Sequence, residues 1–234
     1  MKVPANIVHI NQESPTVRSF LLDTGSDGLK FSPGQWIDCY GEVDGLWQVA
    51  GYSLMSSPSN PSQVEIAVKL LGTNPVTQFL HNEVRIGDTL WIEGGQGDFH
   101  YDPRLTKNIL LMGGGIGITP LMSIIRYASA VHEEIRMGLV YSAKSVSELL
   151  FKNELDELSR KTDKFRALYT VSQDVDPNWL GRTGRITDTM ILDAITLSNP
   201  TCYISGPLPL VTHARMLLLQ MGIQPDHIKY EEWW

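Results

Sequence analysis

"LLMGGGIGITPLMS", residues 110–123, decides the fold. An apolar run enters Gly113, Gly114, Gly115 and Gly117, then continues as an apolar stretch with helical spacing. This is the pattern of a strand, a glycine turn and a helix. Glycine lets the main chain turn tightly and approach a ligand with no Cβ in the way. A helix N-terminus presents free N–H groups and a partial positive charge, so the stretch reads as a cradle for a phosphate or pyrophosphate. Thr119 is expected to cap the helix, with Pro120 in its first turn. Gly113 and Gly115 fit the dinucleotide pattern G-x-G-x-x-G, while Ile118 stands where its third glycine belongs. No Lys-Ser/Thr follows, which excludes a nucleoside-triphosphate P-loop.

Downstream, strands alternate with helices. "MGLVYS" (137–142), "FRALYTV" (165–171), "TCYIS" (201–205) and "HIKYE" (227–231) read as strands, as does "NILLM" (108–112) before the glycines. Helical runs separate them at 119–131, 147–160, 186–195 and 208–221. Such alternation implies a parallel sheet with right-handed crossovers. Upstream the rhythm differs. "NIVHI", "TVRSFLLD", "QWIDCYG", "WQVAGYSLM", "QVEIAVKLL" and "DTLWIEGG" are short β-like runs divided by Gly, Pro, Asp and Ser. One helical piece, "VTQFLHNE" (76–83), interrupts them, and the whole suggests a small antiparallel barrel. The expected architecture is an antiparallel β-barrel over residues 1–103, then an α/β parallel-sheet nucleotide-binding domain over 104–234.

Composition narrows the function. The chain of 234 residues has a formal net charge of −7 and no basic run, which argues against nucleic acid as a partner. Two cysteines, Cys39 and Cys202, stand far apart, so no cysteine-built iron–sulfur or zinc site is expected. The six histidines show no metal-binding spacing, and no metal site is assigned. No apolar run is long enough for a membrane span, and "MKVPANIVHI" lacks a signal-peptide core. A soluble, cytoplasmic protein is the expectation.

In an open parallel sheet, ligands sit beyond the carboxyl ends of the strands. That rule gathers "YSAK" (141–144), "VSQD" (171–174) and "SGPLP" (205–209) around one crevice with Gly114, Gly115, Ile116 and Gly117. Ser172 and Gln173 become candidates for ribose hydroxyls, and Ser142 a further cofactor-binding candidate. Lys144 is either a phosphate partner or a solvated strand end.

These stretches together resemble the ferredoxin–NADP reductase superfamily, most closely its oxidoreductase NAD-binding domain-containing branch. The likeness runs in order through "FSPGQWIDC" (31–39), "GYSLMSSP" (51–58), "VKLLGTNPVTQFL" (68–80) and "GGQGDF" (94–99). It continues through "GGGIGITP", "YSAKSVSELLFKNEL" and "YISGPLP", and ends with the Glu-x-Trp-Trp of residues 231–234. The resemblance implies a flavin-binding barrel and a nicotinamide domain, with FAD and either NADH or NADPH as cofactors. It implies that the Tyr52 ring lies against the isoalloxazine and that Ser53 bonds near flavin N5. It places Leu54, Val68, Lys69, Gly72, Val76 and Thr77 along the flavin, and Gly206 and Pro207 at the nicotinamide. Ser53, Ser205 and Glu231 become the catalytic candidates, and Trp233 with Trp234 an aromatic cover. The implied activity is hydride transfer from the nicotinamide cofactor to FAD, then electron delivery to a separate, unidentified acceptor. The alternative is a non-catalytic flavin- or nucleotide-binding protein, or an electron-transfer subunit of a larger complex.

The chain departs from the family pattern in places. Gly51 stands close to where relatives carry an arginine for the flavin pyrophosphate, so backbone amides near Val76 are expected to serve instead, and FMN stays open beside FAD. Ser205 replaces the frequent cysteine at the hydride-transfer point. Gln173 replaces the arginine of NADP-specific relatives, which favours NADH, although Lys144 or Arg182 can reverse that preference.

Overall fold

The structure is a computed structural model, and it describes the chain except Met1, Asp27, His132, Glu133, Val175, Thr196, Leu197 and Trp234, and except the side chains of Asp174 and Trp233. The chain divides into two compact units. Unit 1 comprises Met1–Tyr101 with Met122–Tyr127, and unit 2 comprises Asp102–Leu121 with Ala128–Trp234.

Unit 1 holds six strands: β1 (Val3–Ser14), β2 (Val17–Asp23), β3 (Trp36–Val43), β4 (Leu46–Ser53), β5 (Gln63–Lys69) and β6 (Thr89–Gln96). They form an antiparallel sheet in the order β4-β3-β6-β1-β2-β5. An antiparallel bridge from Leu54, just past β4, to Ile66 of β5 joins the two edges, so the sheet closes on itself. Alternation explains the strands. Ala5, Ile7, Phe20, Leu22, Ile37, Cys39, Val64, Ile66 and Val68 pack into one core, and most of the residues between them are more exposed. Helix α1 (Pro75–Asn82) buries Val76 and Leu80 against that core.

Unit 2 holds β7 (Asn108–Gly114), β8 (Arg136–Ser145), β9 (Phe165–Asp174), β10 (Arg182–Thr183), β11 (Thr201–Pro207) and β12 (Ile228–Trp233). All pairs are parallel, in the order β10-β9-β8-β7-β11-β12. β7 and β8 are buried along nearly their whole length, as strands covered on both faces are. The helices are α2 (Ile118–Val131), α3 (Lys152–Lys161), α4 (Asp188–Ala194) and α5 (Leu208–Gln220). From β7 the chain winds outward through β8, β9 and β10, then returns to place β11 on the other side of β7. The strand order reverses between β7 and β11, which is where an open α/β sheet opens a crevice.

Local structure corrects several expectations. The helix expected at 147–160 starts later, because Val146–Glu148 is a single 3₁₀ turn and Phe151 takes a left-handed conformation before α3 begins. The two-residue strand β10 was not expected at all. Thr119 does not cap α2: a 3₁₀ turn over Gly115–Gly117 leads straight into the helix, and Thr119 Oγ1 donates to Ile116 O from inside it at 2.9 Å. Glycine lets the chain enter the helix without a polar cap.

Candidate functional site

In unit 1 the candidate residues gather where β4 ends. Tyr52 OH and Thr77 Oγ1 lie 2.9 Å apart, joining the strand to the first turn of α1. Burial raises the Tyr52 phenol above its ordinary range, so it stays protonated at physiological pH. Asn74 caps α1, its Oδ1 accepting from Thr77 N at 3.0 Å. The Asn74 carbonyl accepts from Gln78 N, and Pro75 has no N–H to offer. That leaves the Val76 amide to meet an anion, fewer donors than the sequence suggested.

Gly51 lies exposed on β4, against the Trp36 ring. A Cβ there would lie 3.2 Å from the Trp36 ring, so a side chain at this position points at Trp36. Ala50 and Tyr52, by contrast, both pack against the barrel core. An arginine on the Tyr52 face would replace Ala50, and the chain has no cation at either position.

Next to Tyr52, the Ser53 hydroxyl is buried and has no hydrogen-bond partner. An orphaned buried hydroxyl costs about 1–3 kcal/mol, which a bound partner recovers. Leu54 and Val68 put their side chains in the barrel core, so they can offer a ligand only main chain. The Val68 carbonyl already lies 2.9 Å from His81 Nε2. Gly72, at φ +61, leads toward Asn74, and Lys69 ends β5 half-buried. Gln35, which sequence reading quoted but did not single out, fixes this end of the barrel. Its side chain accepts from Ser32 N at 2.7 Å and donates to Gly97 O at 3.0 Å, and its carbonyl accepts from Leu54 N at 3.0 Å.

In unit 2, register brings the strand ends into one row. Gly113 pairs with Tyr141 and Ser205, Gly114 with Ser142, and Ser142 with Thr170. Ser205 is fully buried and pairs in register with Glu231. Glu231 Oε2 is buried without a partner, and burial pushes its carboxyl up to about 7. Gly117 is held against β11: a Cβ there would lie 2.5 Å from Ser205 O and 2.6 Å from Gly206 Cα. No other residue fits that approach without moving main chain. The cradle therefore sits where the strand order reverses and suits a phosphate-bearing ligand. Pro120 lies buried in the first turn of α2, as expected.

Ser172, Gln173 and Lys144 are exposed at the strand ends, with Ser172 Oγ donating to Ala143 O at 3.1 Å. Arg182 pairs with Asp193 on α4, so one of the two cations considered for a 2′-phosphate is already engaged. At the end of β11 Gly206 is buried and Pro207 is exposed. Trp233 pairs in register with Pro207 through the main chain, and Trp234 lies outside the described residues. Both cysteines are free and buried, with burial pushing each thiol up to about 12. Among the described residues no cluster of His, Cys, Asp or Glu can hold a metal, and no helix is long and apolar enough to cross a membrane.

Residues 4–101 match the Oxidoreductase FAD-binding domain family, and residues 111–216 the Oxidoreductase NAD-binding domain family. The chain is 31% identical over 250 residues to the Danio rerio protein called "Oxidoreductase NAD-binding domain-containing protein 1", covering 98% of this chain and 91% of that one. It is 29% identical to the "Glycine betaine monooxygenase reductase subunit" of Chromohalobacter salexigens, over 96% of this chain and 62% of the relative. The solved "Flavohem-like-FAD/NAD Binding Domain of Nitric Oxide Dioxygenase" from Vibrio cholerae is similar at a TM-score of 0.85 and 25% identity, covering 99% and 98% of the two chains. The orphaned Ser53 hydroxyl and the Gly117 cradle fit the two cofactors these families bind. With its antiparallel flavin unit, its parallel nucleotide unit and a relative matched end to end, this chain belongs to the oxidoreductase NAD-binding domain-containing protein 1 family of FAD- and NAD-binding oxidoreductases.

Proposed function

We propose that this chain is an FAD-dependent NAD(P)H reductase that delivers electrons to a separate acceptor. The observation that carries this reading is the buried Ser53 hydroxyl with no partner, beside a Tyr52 ring tied to a capped helix. When bound, FAD supplies the redox chemistry, taking a hydride from the reduced nicotinamide and releasing electrons onward. The protein binds and orients. Tyr52 offers an aromatic face to the flat flavin ring. Ser53 offers its hydroxyl to a ring nitrogen, and Thr77 with the Val76 amide meets the pyrophosphate. Gly114–Gly117 cradle the nicotinamide nucleotide's phosphates, with Ser142, Ser172 and Gln173 toward its ribose. Ser205 and Glu231 stand at the nicotinamide end, where Glu231 can hold or release a proton near neutral pH.

NADH is the favoured donor, since Gln173 carries no charge and Arg182 is paired with Asp193. A relative called a reductase subunit supports an acceptor that is a protein of its own. The two buried free cysteines suit a reducing compartment, which favours the cytoplasm.

The test is the visible spectrum of the purified protein, taken before and after anaerobic NADH, and separately NADPH. The expected outcome is a flavin spectrum that NADH bleaches faster than NADPH, with FAD as the extracted flavin. A folded protein that neither carries nor takes up FAD sinks the reading and leaves a binding role. A flavin that neither nucleotide reduces sinks the reductase half of it.

A further inference from the structure

Tyr141 lies within the buried run of β8, in register with Gly113, and is itself fully buried. Its hydroxyl lies 3.0 Å from Gly115 O and 3.3 Å from Glu148 O, and it accepts from Leu150 N at 3.2 Å. Burial keeps the phenol protonated, so the group is a permanent donor to one or both carbonyls. A single oxygen thus joins the glycine loop to the segment Val146–Leu150 that follows Lys144. Two features show why that tie matters. Gly115 holds φ +55 with no side chain to anchor it, so its carbonyl is the handle by which the loop is fixed. Phe151, directly after Leu150, holds φ +57, a left-handed conformation that costs free energy in a non-glycine residue and persists only where its surroundings impose it.

We propose that Tyr141 is a positioning residue for the nucleotide site: its hydroxyl locks the glycine loop and the Val146–Leu150 segment into one unit, shaped in advance to receive the nicotinamide nucleotide. The inference rests on the reading of the glycine loop as the nicotinamide-nucleotide site. Tyr141 touches no ligand in this account. It acts by removing motion that binding would otherwise have to freeze.

The test compares wild type, Tyr141→Phe and Tyr169→Phe in the flavin-loaded full chain. Tyr169 is the in-register neighbour of Tyr141 on β9, and its hydroxyl donates to Asp156 on α3 and not to the glycine loop. Loss of the Tyr141 hydroxyl is expected to weaken NAD+ binding about tenfold, the worth of roughly one hydrogen bond, with FAD content unchanged. Hydrogen exchange at the amides of Gly115–Thr119 and Val146–Leu150 is expected to quicken together in Tyr141→Phe, and in neither segment in Tyr169→Phe. In wild type and in Tyr169→Phe, NAD+ should slow exchange in both segments. Acceleration or protection confined to one segment overturns the proposal, as does wild-type NAD+ affinity in Tyr141→Phe. A wild-type chain that binds no NAD+ overturns the nucleotide reading itself, which is a distinguishable result.

Discussion

Glu231 is a carboxyl whose surroundings work against its charge. Burial lifts it to about 7, whereas an exposed glutamate titrates near 4.5. The folded protein therefore holds this proton more tightly than the unfolded chain does. Relative to this group, stability is fully present below about pH 4.5, falls as pH rises toward 7, and is flat above. Wild type is expected to lose on the order of 2–3 kcal/mol against Glu231→Gln between pH 5 and pH 8, read from urea midpoints at both pH values. Equal slopes in the two proteins would refute the shift. In the sequence, resemblance to the family is what pointed to Glu231, Tyr52 and Ser53. It passed over Asn74 and Tyr141, whose roles depend on contacts made across the fold, such as the one between Tyr141 OH and Gly115 O.

Helix α1 shows how an element's end sets the chemistry available there. The Asn74 side chain spends the Thr77 amide on capping, which stabilises the helix but withholds that amide from an anion. Asn74→Ala should cost the flavin-free protein about 1 kcal/mol. The same change releases the Thr77 amide, so FAD should be held at least as tightly as in wild type. Thermal unfolding without flavin and a flavin titration would separate these effects, and a parallel loss of both would contradict this division of donors. The elements that sequence reading misjudged have separate causes. "SVSELLFK" has helix-favouring residues, yet Phe151 in a left-handed conformation delays α3 until Lys152. β10 is two residues long, too short to show any alternation.

At the scale of the whole molecule, the change from period-two alternation to strand–helix alternation was plain in the sequence, and both sheets follow it. The inward residues of the barrel strands and the fully buried β7 and β8 are written in that rhythm. The partition of α2 is not, since a helix's apolar stripe does not name what it packs against. Residues Met122–Tyr127, in the middle of a helix whose ends belong to unit 2, group with unit 1. Within that unit, Ser123 Oγ donates to Ser56 O at 2.7 Å, and Arg126 donates to Met55 O and pairs with Glu65 at 2.6 Å. A fragment ending at Tyr101 is therefore expected to be less stable than its own strands suggest, by an amount that adding a peptide of residues 118–131 restores in part. Full stability of the fragment alone would disprove this.

Shuffling flavin modules among such oxidoreductases by cutting the gene after the barrel would leave behind six residues that the barrel uses. The break in three-dimensional structure and the break in the gene fall at different places. A successful chimera would have to carry the midsection of α2 with its donor barrel, although those codons lie inside the recipient's nucleotide half.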